Sequence, residues 1–88
     1  VKPVERHRSF EKAFKKRVGR DKKLRAQFIE RLSLFQSGVR NQPIDDHALS
    51  GQFAGKRAFS ITADVRVIYE EFEDKIIFLY IGSHSQVY

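Results

Sequence analysis

The sequence predicts an α+β fold of two layers, an N-terminal αα hairpin packed on one face of an antiparallel β-sheet. The main reason is a single change in hydrophobic period. Before residue 38 apolar side chains recur three and four apart, as on one face of a helix; from residue 56 they alternate, as on one face of a strand. A Pro-, Gly- and Asp-containing stretch separates the two regimes. With 88 residues there is room for one modest core, so residues 1–88 are expected to form one domain.

Taken in order, Val1 to Arg8 alternates Val4, Arg6 and Arg8 with Glu5 and His7, which suits a short first strand with Pro3 at its start. Ser9 is placed to cap a helix whose stripe is Phe10, Ala13, Phe14 and Val18, and Gly19 to end it. Asp21 then caps a second helix, striped by Leu24, Phe28, Ile29, Leu32 and Phe35 and closing near Ser37 and Gly38. A link as short as Gly19 and Arg20 makes the two helices antiparallel neighbours. The aromatic residues of these stripes have the spacing of a core.

Residues 39–55 lose periodicity and read as a connector, with Leu49 and Phe53 anchoring it to the body. Beyond it, Phe59 and Ile61 oppose Ala58, Ser60 and Thr62, and Val65, Val67 and Tyr69 oppose Arg66, Ile68 and Glu70. With turns at residues 62–64 and 72–75 these runs form an antiparallel meander. The run Ile76 to Ile81 is apolar on both parities, as in a central strand covered on both sides.

Composition removes several classes of function. No Cys or Met is present, so there is no disulfide, no thiolate nucleophile and no thiolate metal ligand. His7, His47 and His84 are far apart in sequence and lack ligand spacing, so neither a metal nor another cofactor is expected. No apolar run approaches the roughly 20 residues of a membrane span, and no signal-peptide apolar region follows the basic start. A cytoplasmic location without membrane contact is the expectation. The net charge of +6 is uneven: residues 1–25 carry eleven Lys or Arg against three acids. Such a surface attracts polyanions in a salt-dependent way, the alternative being a solvated helix face.

Candidate chemistry concentrates at the end of the chain, where Asp64, Arg66, His84 and Tyr88 share one strand-like stretch. His84 follows Gly82 and Ser83, where packing does not call for a histidine, and its imidazole titrates near about 6.5. Its alternative is a surface residue closing the sheet. Asp64 can orient a histidine or act as a base, or simply serve its turn. His47 can move a second proton or bind phosphate, or belong only to a loop rich in Asp45 and Asp46. Arg57 and Arg66 each offer a planar fork to a phosphate. Arg66 is the stronger candidate, because it interrupts an apolar strand; the alternative is a salt bridge to Glu70 or Glu71. Tyr88 can stack on an exposed base, as can Phe53 if it is not a core anchor. Together these groups suit metal-free RNA cleavage: a base activates a 2′-hydroxyl, cations stabilise the attacked phosphate, and an acid protonates the leaving 5′-oxygen.

The segment His47-Ala-Leu-Ser-Gly51, then Gly55-Lys-Arg57, Ile61 to Asp64, Arg66-Val-Ile-Tyr69, Ile81-Gly-Ser-His84 and the closing Tyr88 resembles the bacterial type II toxins of the RelE superfamily, particularly the YafQ branch, over essentially the whole chain. The resemblance implies a ribosome-dependent mRNA endoribonuclease that leaves a 2′,3′-cyclic phosphate. Its implied partners are mRNA, the 70S ribosome and a cognate antitoxin, with operator DNA reached only through the antitoxin complex. The pattern's catalytic groups fall on His47, Asp64, His84 and Tyr88. Ser60 stands where YafQ has a second histidine, and Val65 where it has a tryptophan. Arg66 matches a strand arginine important for cleavage in RelE proper. The helical cations Lys12, Lys15, Lys16, Lys22 and Lys23, with Arg17 and Arg25, would grip ribosomal RNA. Because a serine hydroxyl is not a base at neutral pH without activation, two alternatives remain. One is a ParE-like toxin acting by target occupancy; the other is a degenerate toxin kept for its antitoxin contacts.

Charge reversal at Lys12, Lys15 and Lys16 is expected to weaken ribosome association and flatten its salt dependence while leaving the fold intact. Unchanged co-sedimentation with ribosomes across a salt series would reduce this surface to solvation.

Overall fold

The structure is a computed structural model that describes residues 2–83; His84 and Tyr88, both expected site residues, lie outside the described residues. The first element is a strand, β1 (Val4–Arg6), followed by helix α1 (Arg8–Arg17). The helix begins one residue before the expected cap. His7 is the N-cap, its Nδ1 accepting from the Ser9 N–H at 3.1 Å. The Ser9 hydroxyl instead donates to the Leu79 carbonyl at 2.5 Å, tying the helix to the strand beneath it. At the far end a Cβ on Gly19 would lie 2.5 Å from the Lys15 carbonyl oxygen, so only glycine fits this turn.

Helix α2 (Lys22–Gln36) is capped as its sequence predicts, the Asp21 Oδ1 accepting from the Leu24 N–H at 2.9 Å. Leu24, Phe28 and Phe35 of its stripe are buried, but Ile29 is 60% exposed. Ile29 neighbours Phe28 on the flank of the stripe, where the hairpin meets solvent. Aromatic contacts join helices to sheet. Phe10 packs on Phe28 and Phe78 with ring centroids 6.2 and 5.3 Å apart, and Phe35 stacks on Phe59 at 4.3 Å.

The connector is more ordered than its composition implies. It contains a two-residue strand, β2 (His47–Ala48), and a 3₁₀ turn (Gly51–Phe53). Its anchor is Ile44, fully buried in the core, whereas the expected anchors Leu49 and Phe53 are only half-buried. Strands β3 (Arg57–Ser60), β4 (Val65–Glu71) and β5 (Ile76–Ser83) form the antiparallel meander. The sheet order is β1-β5-β4-β3-β2. Because β1 runs parallel to β5, the sheet is mixed and not purely antiparallel. The helices cover one side only, so β5 is an interior strand, with β4 at the centre, and is not covered on both sides: Ile77, Leu79 and Tyr80 remain half-buried. Among the described residues no helix is long and apolar enough to cross a membrane.

Phe35→Ala is expected to lower stability by roughly 3–5 kcal/mol, because the ring is fully buried and stacked on the sheet. Ile29→Ala is expected to stay within about 0.5 kcal/mol. Urea denaturation of the two variants beside the parent chain checks both values.

Candidate functional site

Alternation along the strands decides which side chains meet the helices. Phe59 and Ile61 of the β3 region, Val65, Val67 and Tyr69 of β4, and Phe78 and Ile81 of β5 all join the core. The intervening residues Ala58, Ser60, Arg66, Ile68 and Glu70 therefore point to the opposite face, left open by the helices although Ala58, Ser60 and Ile68 are themselves buried there. Cross-strand register extends this face into two rows. One runs His47–Ala58–Ile68–Tyr80 across β2, β3, β4 and β5; the other runs Ser60–Arg66–Gly82. With strands about 4.8 Å apart and two residues of offset, His47 and Arg66 lie roughly 12 Å apart at their Cα atoms on one surface.

Arg66 is held by neutral oxygens. Its Nη1 donates to the Ser60 hydroxyl at 2.8 Å and to the Thr62 carbonyl at 3.1 Å, and its Nε is buried with no hydrogen-bond partner among the described residues. The alternative of a salt bridge to Glu71 is not realised, since Glu71 pairs with Lys2 at 2.9 Å. That hydrogen bond from the Lys2 ammonium holds the Glu71 carboxyl below the usual carboxylate range.

Asp64 sits in the turn between β3 and β4, next to Val65, which pairs with Ser83 at the end of the described chain. The turn is organised by the Thr62 hydroxyl, which accepts from the N–H groups of Asp64 and Val65 at 3.2 and 3.0 Å. His47 Nδ1 is 3.0 Å from the Asp45 carbonyl oxygen. A carbonyl can only accept, so this contact puts the proton on Nδ1 and leaves the lone pair of the neutral ring at Nε2.

Arg57 is not on this face. It pairs with Tyr69 across the strands and, sharing the parity of Phe59, turns toward the helix side, where its Nε lies 3.3 Å from Asp46 Oδ1. Asp46, with a side chain 4% exposed, also accepts from the Tyr69 hydroxyl at 2.7 Å and faces Arg40 Nε at 3.5 Å. Burial together with the hydrogen bond to Asp46 pushes the Tyr69 phenol well above its ordinary value. For Arg57, burial disfavours the charge, but hydrogen bonding and charge interactions with Asp46 and Tyr69 together outweigh it and the guanidinium is raised further.

Lys12, Lys15, Lys16, Lys22 and Lys23 are exposed on the helical hairpin, apart from the open face. Lys16 and Arg17 nevertheless border a groove with Tyr80 and Ile81, where the hairpin meets β5. A second, largely apolar groove is lined by Phe53, Lys56, Ile68, Leu79 and Tyr80. Tyr80 and Lys56 were not singled out in the sequence; the parity of Tyr80 with Gly82, two positions on, was the available signal. Among the described residues no cluster of three His, Cys, Asp or Glu side chains could hold a metal ion.

A helical hairpin on one side of a five-stranded mixed sheet is the fold of solved YafQ structures. YafQ from Escherichia coli matches the structure with a TM-score of 0.81 at 20% identity, covering 100% of this chain and 99% of its own. YafQ in the E. coli DinJ-YafQ complex matches at 0.80 and 21% identity, with coverage of 100% and 99%. A copper-bound mutant toxin from Helicobacter pylori matches at 0.76 and 30% identity, over 100% of both chains. No curated protein sequence matches significantly. Residues 2–88 match the YafQ family, bacterial toxins of type II toxin-antitoxin systems, and the chain belongs to that family.

The raised phenol has a consequence for pH. A group whose folded value exceeds its unfolded one contributes stability below the unfolded value, near about 10, and loses it as pH climbs toward the folded value. In an alkaline absorbance titration Tyr69 is expected to stay protonated at about pH 11, a unit above the ordinary phenol. Tyr69→Phe should leave the absorbance change up to that pH unaltered.

Proposed function

We propose that this toxin is a metal-independent endoribonuclease that cuts mRNA on the ribosome, in the cytoplasm, and is neutralised by a cognate antitoxin. The observation that carries the reading is the open face of the sheet, where His47 and the neutrally held Arg66 lie on one surface. β5 brings the chain to Ser83, opposite the neighbour of Asp64, and His84 is the next residue in sequence. In this reading His84 and His47 exchange the protons of the 2′-hydroxyl and the leaving 5′-oxygen, with Asp64 orienting a ring. Arg66 stabilises the charge that develops on the phosphate. The product is a 2′,3′-cyclic phosphate, and Tyr88 stacks on a neighbouring base. Arg57, drawn to Asp46, secures the edge that carries His47 and does not reach the RNA.

The exposed helical lysines supply sequence-independent contacts to ribosomal RNA. Their charge also suits an acidic antitoxin that folds over them, in line with the DinJ-YafQ complex of the E. coli relative. Operator DNA is reached through that complex. A second reading, arrest by occupying a target without cleavage, draws on Ser60, whose hydroxyl is engaged by Arg66 and offers no base at that position.

The deciding experiment induces the chain without antitoxin, wild type beside His84→Ala, and follows growth together with primer extension on a reporter mRNA. Cleavage within codons is expected for the wild type, reduced roughly 10²–10⁴-fold in the variant with unchanged circular dichroism. Arrest without cleavage in both overturns the nuclease reading in favour of target occupancy.

A further inference from the structure

Ser60 is 6% exposed, a buried polar residue between the apolar positions 59 and 61, both fully buried. Packing alone would favour an apolar side chain there, because a buried hydroxyl is costly unless it is bonded. Its bond is to Arg66, directly opposite on β4. A guanidinium carries five coplanar N–H donors. Ser60 Oγ and the Thr62 carbonyl engage Nη1 from the turn side, which fixes both the plane and the direction of the fork. The Nε–H is buried and has no hydrogen-bond partner among the described residues, so the donors turned away from Ser60 and Thr62 are those a phosphate can meet.

The chemistry of the acceptors matters as much as their position. Arg57 and Arg40 share the Asp46 carboxylate, which offsets one of their two charges. Arg66 is held by a hydroxyl and a carbonyl, which orient the cation without neutralising it. That is what a group acting on a phosphate requires, since its value lies in charge that is already aimed before the reaction.

We infer that Ser60 is a positioning residue for Arg66: it takes the place of the histidine in the YafQ pattern not as a weakened base but as a neutral clamp that aims the arginine across the open face. The inference rests on the reading of Arg66 as the phosphate-stabilising group, so its test needs a readout that does not depend on cleavage.

The first readout is ¹⁵N NMR of the Arg66 side chain in the free, full-length protein. Hindered rotation of the guanidinium, with separate Nη signals, is expected in the wild type and in Ser60→Thr, and fast averaging in Ser60→Ala. Free rotation in the wild type, or an unchanged signal in Ser60→Ala, overturns the inference, and the wild-type spectrum alone suffices should Ser60→Ala fail to fold. The second readout is cleavage of mRNA on ribosomes. Ser60→Ala should lower kcat roughly tenfold with KM within about twofold, and Ser60→Thr should restore it. In an Arg66→Ala background Ser60→Ala should cost nothing further, because the clamp then has nothing to hold. An equal loss in that background points to a structural role and overturns the inference. If the NMR restraint depends on Ser60 while the wild type cuts no RNA, the clamp stands and the nuclease reading falls.

Discussion

A buried carboxylate determines where the open face begins. Asp46 lies almost entirely out of water, and an isolated charge there would be strongly unfavourable. It is tolerable because the Tyr69 hydroxyl and two guanidinium groups converge on it. Those partners come from β4, β3 and the segment just after α2, so the contact joins the connector to the sheet. Ile44 strengthens the same joint, its side chain in the core and its carbonyl accepting from the Ser60 N–H at 2.8 Å. With Asp46 turned inward and strand alternation in force, the next residue, His47, must turn outward. An ion pair beneath the sheet thereby places the histidine above it.

The opposite end of the face depends on a shift in register. Phe78 and Ile81 both belong to the core although they differ in parity, which a regular strand does not permit. The ladder moves between Ile68 and Tyr69, so that Tyr69 faces Phe78 and Ile68 faces Tyr80, with Leu79 as the extra residue. Past this bulge the alternation of β5 is reversed. Ile81 comes inside, and Gly82 comes out beside Arg66. The apolar run of both parities in the sequence reflects this irregularity, together with the half-buried outer residues, and not a second covering layer.

The elements readable from sequence are those whose signal is local. The two helices and the three-strand meander have long stripes or alternations, and Asp21 caps where a short polar side chain before a helix should. Strand β1 pairs with β5 from the other end of the chain, and nothing in its few residues reveals that partner. Strand β2 is too short to alternate, and Ile44 is a lone apolar residue among Pro43, Asp45 and Asp46. Ser9 had the right chemistry for a cap, but the Leu79 carbonyl competes for its hydroxyl and His7 caps instead. The two arginines show how far parity reaches. Arg57 shares the parity of Phe59 and Ile61, which already separates it from the face of Arg66. The partner it finds there, Asp46, is supplied by a connector whose path the sequence does not disclose.

The same contrast explains how one small sheet keeps its arginines apart in function. Arg40 and Arg57 share one carboxylate, which offsets one of their two charges and draws both forks to the connector. A guanidinium held by neutral oxygens keeps its field, and Arg66 projects it from a surface whose nearest row neighbours, Ser60 and Gly82, carry no charge. Further cations reach this surface around its edge, where Lys16 and Arg17 border the groove at Tyr80 and Ile81. In the proposed reading, a polyanion drawn to the hairpin passes Lys16 and Arg17 on its way to the open face. Docking and chemistry then depend on one charge distribution, with its fixed point at Arg66.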